Sequence, residues 1–220
     1  MRARTRRGAG PVGIGVRLNT RGASRSWLLL CAALGAPALA LMSLHWTALA
    51  PPALLQQLDW QPAAGASLGW RVWTAAWVHW SGMHLAANGL GLLLVAWLGQ
   101  AAGCGRRDAW AWLVAWPLSH LALLLQPALQ HYGGLSGVLH AGVAIAALRL
   151  IAQDGRVRRV GVGLLSGLLV KLLLEQPWGE PLRHWPGWDI AIAPLAHTTG
   201  VLCGLSSASL LRCWRNSGRL

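Results

Sequence analysis

Two stretches of the chain, Ser26 to Leu58 and Val72 to Gly105, contain no residue with a formal charge. A helix needs roughly 20 apolar residues to cross a hydrocarbon core of about 30 Å, and each stretch supplies more than that. Charged residues make up only 11% of the 220 positions and hydrophobic ones 55%, whereas a soluble domain averages about 25% charged. A polytopic membrane protein follows. The apolar content excludes intrinsic disorder. Cys31, Cys104, Cys203 and Cys213 show neither paired nor metal-ligand spacing, which excludes a disulfide scaffold. No metal and no cofactor is expected.

Spans can be placed along the chain by their apolar runs and their breakers. Residues 1–25 are rich in Arg, Gly and Ser and read as a flexible basic tail. The first span runs from Trp27 to Ala50. Its length exceeds the ~7 to 15 residues of a signal-peptide core, so an uncleaved anchor is expected despite the Ala48-Leu49-Ala50 triplet. After a loop from Pro51 to Ser81, the expected spans are Met83–Ala102, Ala109–Gln126, Leu135–Ile151, Val160–Leu174 and Pro194–Leu211. One all-α domain of six transmembrane helices over residues 26–212 results, with a short tail at 213–220.

Arginine placement orients these spans. The net charge is +13, yet the basic residues sit at the ends of apolar segments and no nucleic-acid motif is present, so nucleic acid is set aside as a partner. The 15 Trp lie in apolar stretches and at their borders, as interfacial anchors do. Sixteen of the 18 arginines fall in the N-terminal tail, the second and fourth connections and the C-terminal tail, and only Arg71 and Arg183 fall elsewhere. By the positive-inside rule both termini are cytoplasmic.

Polar groups within a span are costly and need a reason. Three clusters stand out: His79, His84 and Asn88; Gly133-Gly134-Leu135-Ser136-Gly137 with His140; and Ala196-His197-Thr198-Thr199-Gly200 with Gly204. Each opens a helix that runs from the outer side inward, so topology alone places all three at one depth. A hydroxyl, an imidazole and further donors at one depth are the ingredients of acyl transfer: a nucleophile, its base, and groups to hold an oxyanion. No carboxylate lies close enough in the chain to demand a triad. Asp189 reads as a solvated loop acid, and Lys171 with Glu175 as a local i,i+4 ion pair.

The chain resembles the rhomboid intramembrane serine proteases through four motifs in order: Trp70-Arg71-x-x-Thr74, His79-x-x-x-x-His84-x-x-x-Asn88, Gly134-Leu135-Ser136-Gly137, and Ala196-His197-x-x-Gly200-x-x-x-Gly204. The resemblance implies a rhomboid-like fold in which Ser136 is the nucleophile and His197 the general base of a dyad. His84, Asn88 and the Ser136 backbone N–H would form the oxyanion hole. His79, His140, Gly134, Gly137, Gly200 and Gly204 would support them.

Rhomboids commonly carry a tyrosine four residues after the nucleophile, where this chain has His140. That histidine, with Lys171-Leu-Leu-Leu-Glu175-Gln176, is similar to the rhombosortase subfamily, although the glycine usual after the histidine is Ala141 here. The subfamily implies cleavage of exported proteins bearing a GlyGly-CTERM tail: a Gly-rich motif, one membrane helix and a basic cluster. It also implies a site in the bacterial inner membrane, with the lipid bilayer as the surrounding partner. The alternatives are a general rhomboid protease for other single-span proteins and a non-catalytic rhomboid-like protein that binds clients. His140, on the helical face of Ser136, is expected to pack against or hydrogen-bond His197.

Overall fold

A computed structural model of the chain describes residues 25–51 and 53–217. The basic tail expected over residues 1–25 therefore lies outside the described residues apart from Arg25, as do residues 218–220. Among the described residues there are eight α-helices: α1 (Arg25–Trp46), α2 (Ala53–Leu58), α3 (Arg71–Thr74), α4 (Gly82–Ala102), α5 (Arg106–Leu121), α6 (Ser136–Ile151), α7 (Gly155–Glu175) and α8 (Pro194–Ser217). Short 3-10 turns at Pro62–Leu68, Ala75–Trp77 and Ala122–Leu125 connect them.

Three helices are long and apolar enough to cross a membrane, namely Arg25–Trp46, Gly82–Ala102 and Arg106–Leu125, the last counted through its 3-10 turn. Such a set suggests a multi-pass membrane protein. Large side chains on the outer surface agree: Leu29, Leu93 and Trp97 are each more than two-thirds exposed, an apolar surface that water would penalise. Helix α6 is equally apolar but has 16 residues, about 24 Å at 1.5 Å per residue.

Several ends differ from the sequence-based expectation. Helix α5 starts three residues early because the Gly105 N–H donates to Asp108 Oδ2 at 2.8 Å, so Arg106 and Arg107 open the helix. Helix α7 likewise starts at Gly155, five residues before the expected Val160, and takes in Arg156, Arg158 and Arg159. Long arginine stems reach out from a helix end without breaking it. Helix α8 continues to Ser217, so the tail expected from residue 213 is mostly helical. The loop from Pro51 to Ser81 contains α2 and α3.

Indoles hold the bundle together. Trp27 of α1 donates from Nε1 to the Val95 carbonyl of α4 at 3.3 Å and packs on Trp112 of α5, with ring centroids 4.5 Å apart. Trp112 in turn donates to the Val138 carbonyl of α6 at 2.7 Å. All three helices are thereby tied to α6, whose first residue is Ser136.

Helices α6 and α8 meet backbone to backbone. A Cβ added to Gly200 would strike the Gly137 carbonyl oxygen, and one on Gly204 would lie 2.7 Å from that of Ala141. Only hydrogen at these positions permits such an approach, the small-xxx-small geometry of helix pairs in membranes.

Candidate active site

The segment leading to Ser136 is pinned before the helix begins. Trp60 and Tyr132 exchange both backbone hydrogen bonds at 2.8 Å, and the Gly134 N–H donates to the Ala75 carbonyl at 2.9 Å. Gly134 adopts φ +122°, a conformation that L side chains rarely take. A Cβ there would also stand 2.6 Å from His84 Nε2 and 3.4 Å from Asn88 Nδ2. The glycine thus leaves space for both donors to approach the loop just before Ser136. Ser136 itself is the first residue of α6, where a backbone N–H has no intrahelical acceptor.

Across the α6–α8 seam, His197 sits in the first turn of α8 with Nε2 3.1 Å from Ser136 Oγ. The glycines set this distance, since any larger residue at 137 or 200 would force the helices apart. His140, one turn into α6, donates from Nδ1 to the Ser136 carbonyl at 2.6 Å. Its ring lies on that of His197 with centroids 4.2 Å apart and planes 11° apart. The structure therefore places His140 against both members of the pair.

His84 and Asn88 line the same cavity as Ser136 and His197. The Ser81 hydroxyl caps α4 by accepting the His84 N–H at 3.1 Å, which fixes the start of the helix. The Trp80 N–H donates to His84 Nδ1 at 3.4 Å, so the ring proton resides on Nε2, the atom beside Gly134. Asn88 Nδ2 is buried with no hydrogen-bond partner among the described residues. An orphaned donor of this kind is costly unless a bound group satisfies it. His79 packs its ring against His84 at 4.6 Å and donates from Nδ1 to the Trp77 carbonyl at 3.1 Å. Burial pushes the His79 imidazole down to about 4, so it is neutral near pH 7 and brings no charge to its neighbour.

One residue corrects the sequence reading. Glu175, expected to form only a local pair with Lys171, does accept from Lys171 Nζ at 2.6 Å through Oε1. Its other oxygen, Oε2, lies 2.7 Å from His197 Nδ1. A carboxylate therefore does reach the site. The signal was present in the alternation of helix directions, because α7 runs opposite to α6 and α8 and its C-terminal end lies level with their first turns. Asp189 is exposed, as expected of a loop acid.

The cavity has a volume of about 790 Å³. Trp80, Trp185 and Trp188, all partly exposed, line it together with the polar groups. From there it continues along Leu94 and Leu98 of α4 and Leu164 and Leu168 of α7, giving an apolar slot below a polar end. Among the described residues no group of three or more His, Cys, Asp or Glu is placed to hold a metal ion. Comparison with protein-family models and with curated proteins finds no match to the chain.

Proposed function

We propose that the chain is a rhomboid-type intramembrane serine protease, with α1 and α4 to α8 as six spans and both termini in the cytoplasm. The observation that carries this reading is the 3.1 Å contact between Ser136 Oγ and His197 Nε2. It occurs in a cavity that also presents the unpartnered Asn88 amide. Ser136 Oγ attacks the scissile carbonyl carbon as its proton passes to His197 Nε2, and the carbonyl π electrons move onto oxygen. His84 Nε2–H, Asn88 Nδ2–H and the Ser136 N–H donate to that oxyanion. His197 then gives its proton to the leaving amine as the C–N bond breaks, and water hydrolyses the acyl-enzyme by the same steps.

The client class follows from depth and lining. Helix α6 is about 24 Å long and shorter than the hydrocarbon core, so Ser136 lies a little below the outer surface. A client helix enters along the apolar slot between α4 and α7 and unwinds where it reaches the polar end. Glycines ease that unwinding, since Gly in a helix costs roughly 1 kcal/mol relative to Ala. This supports the GlyGly-CTERM layout: Gly-rich motif outside, one span, and basic residues in the cytoplasm of a bacterial inner membrane.

The test is labelling of the detergent-solubilised full chain by a serine-directed fluorophosphonate, together with cleavage of a fusion ending in such a tail. Labelling lost in Ser136→Ala and cleavage slowed when the glycines become leucine are the expected results. Equal cutting of the leucine fusion reassigns the chain to general rhomboid proteolysis. Absence of Ser136-dependent labelling and cutting points to a non-catalytic client binder.

A further inference from the structure

A Ser–His pair works only if the imidazole keeps its lone pair on the nitrogen facing the hydroxyl. Two groups approach the far nitrogen of His197, and they demand opposite tautomers. Glu175 Oε2, at 2.7 Å from Nδ1, is an acceptor and calls for a proton on Nδ1. Lys171 Nζ, at 3.3 Å from the same atom, is a donor and calls for a lone pair there. A proton on Nδ1 leaves Nε2 free to take the Ser136 proton. A lone pair on Nδ1 puts the ring proton on Nε2, where it blocks that transfer.

The geometry resolves the competition. Glu175 is the nearer of the two, and its Oε1 also holds the Lys171 ammonium at 2.6 Å, drawing that donor's hydrogens away from the ring. The carboxylate is buried, whereas the lysine side chain is 43% exposed. Its backbone is fixed as well, because Arg183 Nη1 donates to the Glu175 carbonyl at 2.9 Å. Stacking of His140 on the His197 ring then opposes rotation of the imidazole away from Glu175 Oε2 and Ser136 Oγ.

We propose that Glu175 is a positioning residue that converts the Ser136–His197 pair into a Ser–His–Glu triad and keeps Lys171 from imposing the inactive histidine tautomer. The proposal rests on the protease reading above. During the reaction the Ser136 proton moves to Nε2, the imidazolium forms with both nitrogens protonated, and Glu175 stays ionised throughout, balancing that charge.

Kinetics of the full chain in detergent on a cleavable fusion provide the test. Glu175→Gln is expected to lower kcat on the order of 10² to 10⁴ with KM and melting temperature nearly unchanged. Lys171→Met is expected to raise kcat when added to Glu175→Gln, because no ammonium then claims Nδ1. A merely structural glutamate predicts no such rescue, and its absence overturns the tautomer argument. If Glu175→Gln does not fold, Glu175→Asp serves instead. It keeps the charge but withdraws it by one methylene, so kcat falls at unchanged melting temperature, and full kcat overturns the triad. Fluorophosphonate labelling separates the two levels of the argument. A Glu175→Gln variant that labels at the intact chain's rate overturns the triad and leaves Ser136 as nucleophile. An intact chain without Ser136-dependent labelling overturns the protease reading itself.

Discussion

Among the described residues, two buried carboxylates each face one histidine and one cation, and they differ in what the histidine sees on its other side. In the first, Asp59 accepts from His131 Nδ1 at 2.6 Å and from Gln61 Nε2 at 2.8 Å, and it lies 3.7 Å from Arg71. The His131 ring is half exposed, and among the described residues no hydroxyl or thiol is hydrogen-bonded to its second nitrogen. In the second, Glu175 faces Lys171 and His197, and the second nitrogen of His197 meets Ser136 Oγ. The two clusters thus share a carboxylate, an imidazole and a cation, and what separates them is the hydroxyl at the second nitrogen of His197. The first cluster joins the end of α2 to α3 and to the segment before Ser136; the second joins three helix ends around a hydroxyl.

The sharpest way to break this comparison is to remove each histidine in turn. His197→Ala, like Ser136→Ala, is expected to abolish cleavage, and the double variant to be no worse because the two act as one unit. His131→Ala is expected to retain cleavage of the same fusion. A dead His131→Ala with an unchanged melting temperature would place the first cluster in the reaction as well.

Next in size are two donors that share the cavity with Ser136 and His197. Asn88→Ala and His84→Ala are each expected to lower kcat by about 10² to 10³, the usual effect of removing one oxyanion donor, with client binding little affected. Unchanged kcat in Asn88→Ala would leave its buried amide without a function. His140→Tyr is a milder probe: it keeps an aromatic ring against His197 but loses the hydrogen bond to the Ser136 carbonyl. A loss on the order of tenfold in kcat is expected, and a complete loss would assign His140 a direct part in the chemistry.

The smallest effect is expected at Asp59. Burial raises its carboxyl above the ordinary range despite the opposing pull of Gln61, His131 and Arg71. A raised folded-state value means the fold holds the proton more tightly than the unfolded chain does, so this group's contribution to stability grows as pH falls through that value. Its ionised form is thus a net cost at neutral pH relative to its protonated form, because burial outweighs the pull of its partners. Asp59→Asn, which keeps an acceptor for Arg71 and His131 and removes the buried charge, is expected to change stability by about 1 kcal/mol, the size of one net hydrogen bond, and to leave cleavage intact, as measured by thermal melting and fusion cutting.

The unequal legibility of the two clusters has a physical cause. Charge-free runs locate helices because the bilayer forbids hydrated side chains over ~20 residues, and α4 was expected at Met83–Ala102 where the structure has Gly82–Ala102. The groups opening α4, α6 and α8 were legible because each breaks an apolar run at the same helix end. Glu175 was hidden by its position at the opposite end of an oppositely directed helix, with Lys171 one turn away offering a sufficient local partner. Asp59 and the Trp60–Tyr132 pairing were hidden because loop-to-loop contacts have no period to betray them.

The glycine seam between α6 and α8 also governs how the protein ages under heat. Where Gly200 rests on the Gly137 carbonyl there is no side chain whose rotamer can change to widen the gap. The backbones that carry Ser136 and His197 therefore separate only when the two helices part, which is a larger event than fraying of a helix end. Thermal inactivation and melting of the bundle should therefore coincide, and in the proposed protease the breathing that admits a client would be left to the opposite walls of the cavity, α4 and α7.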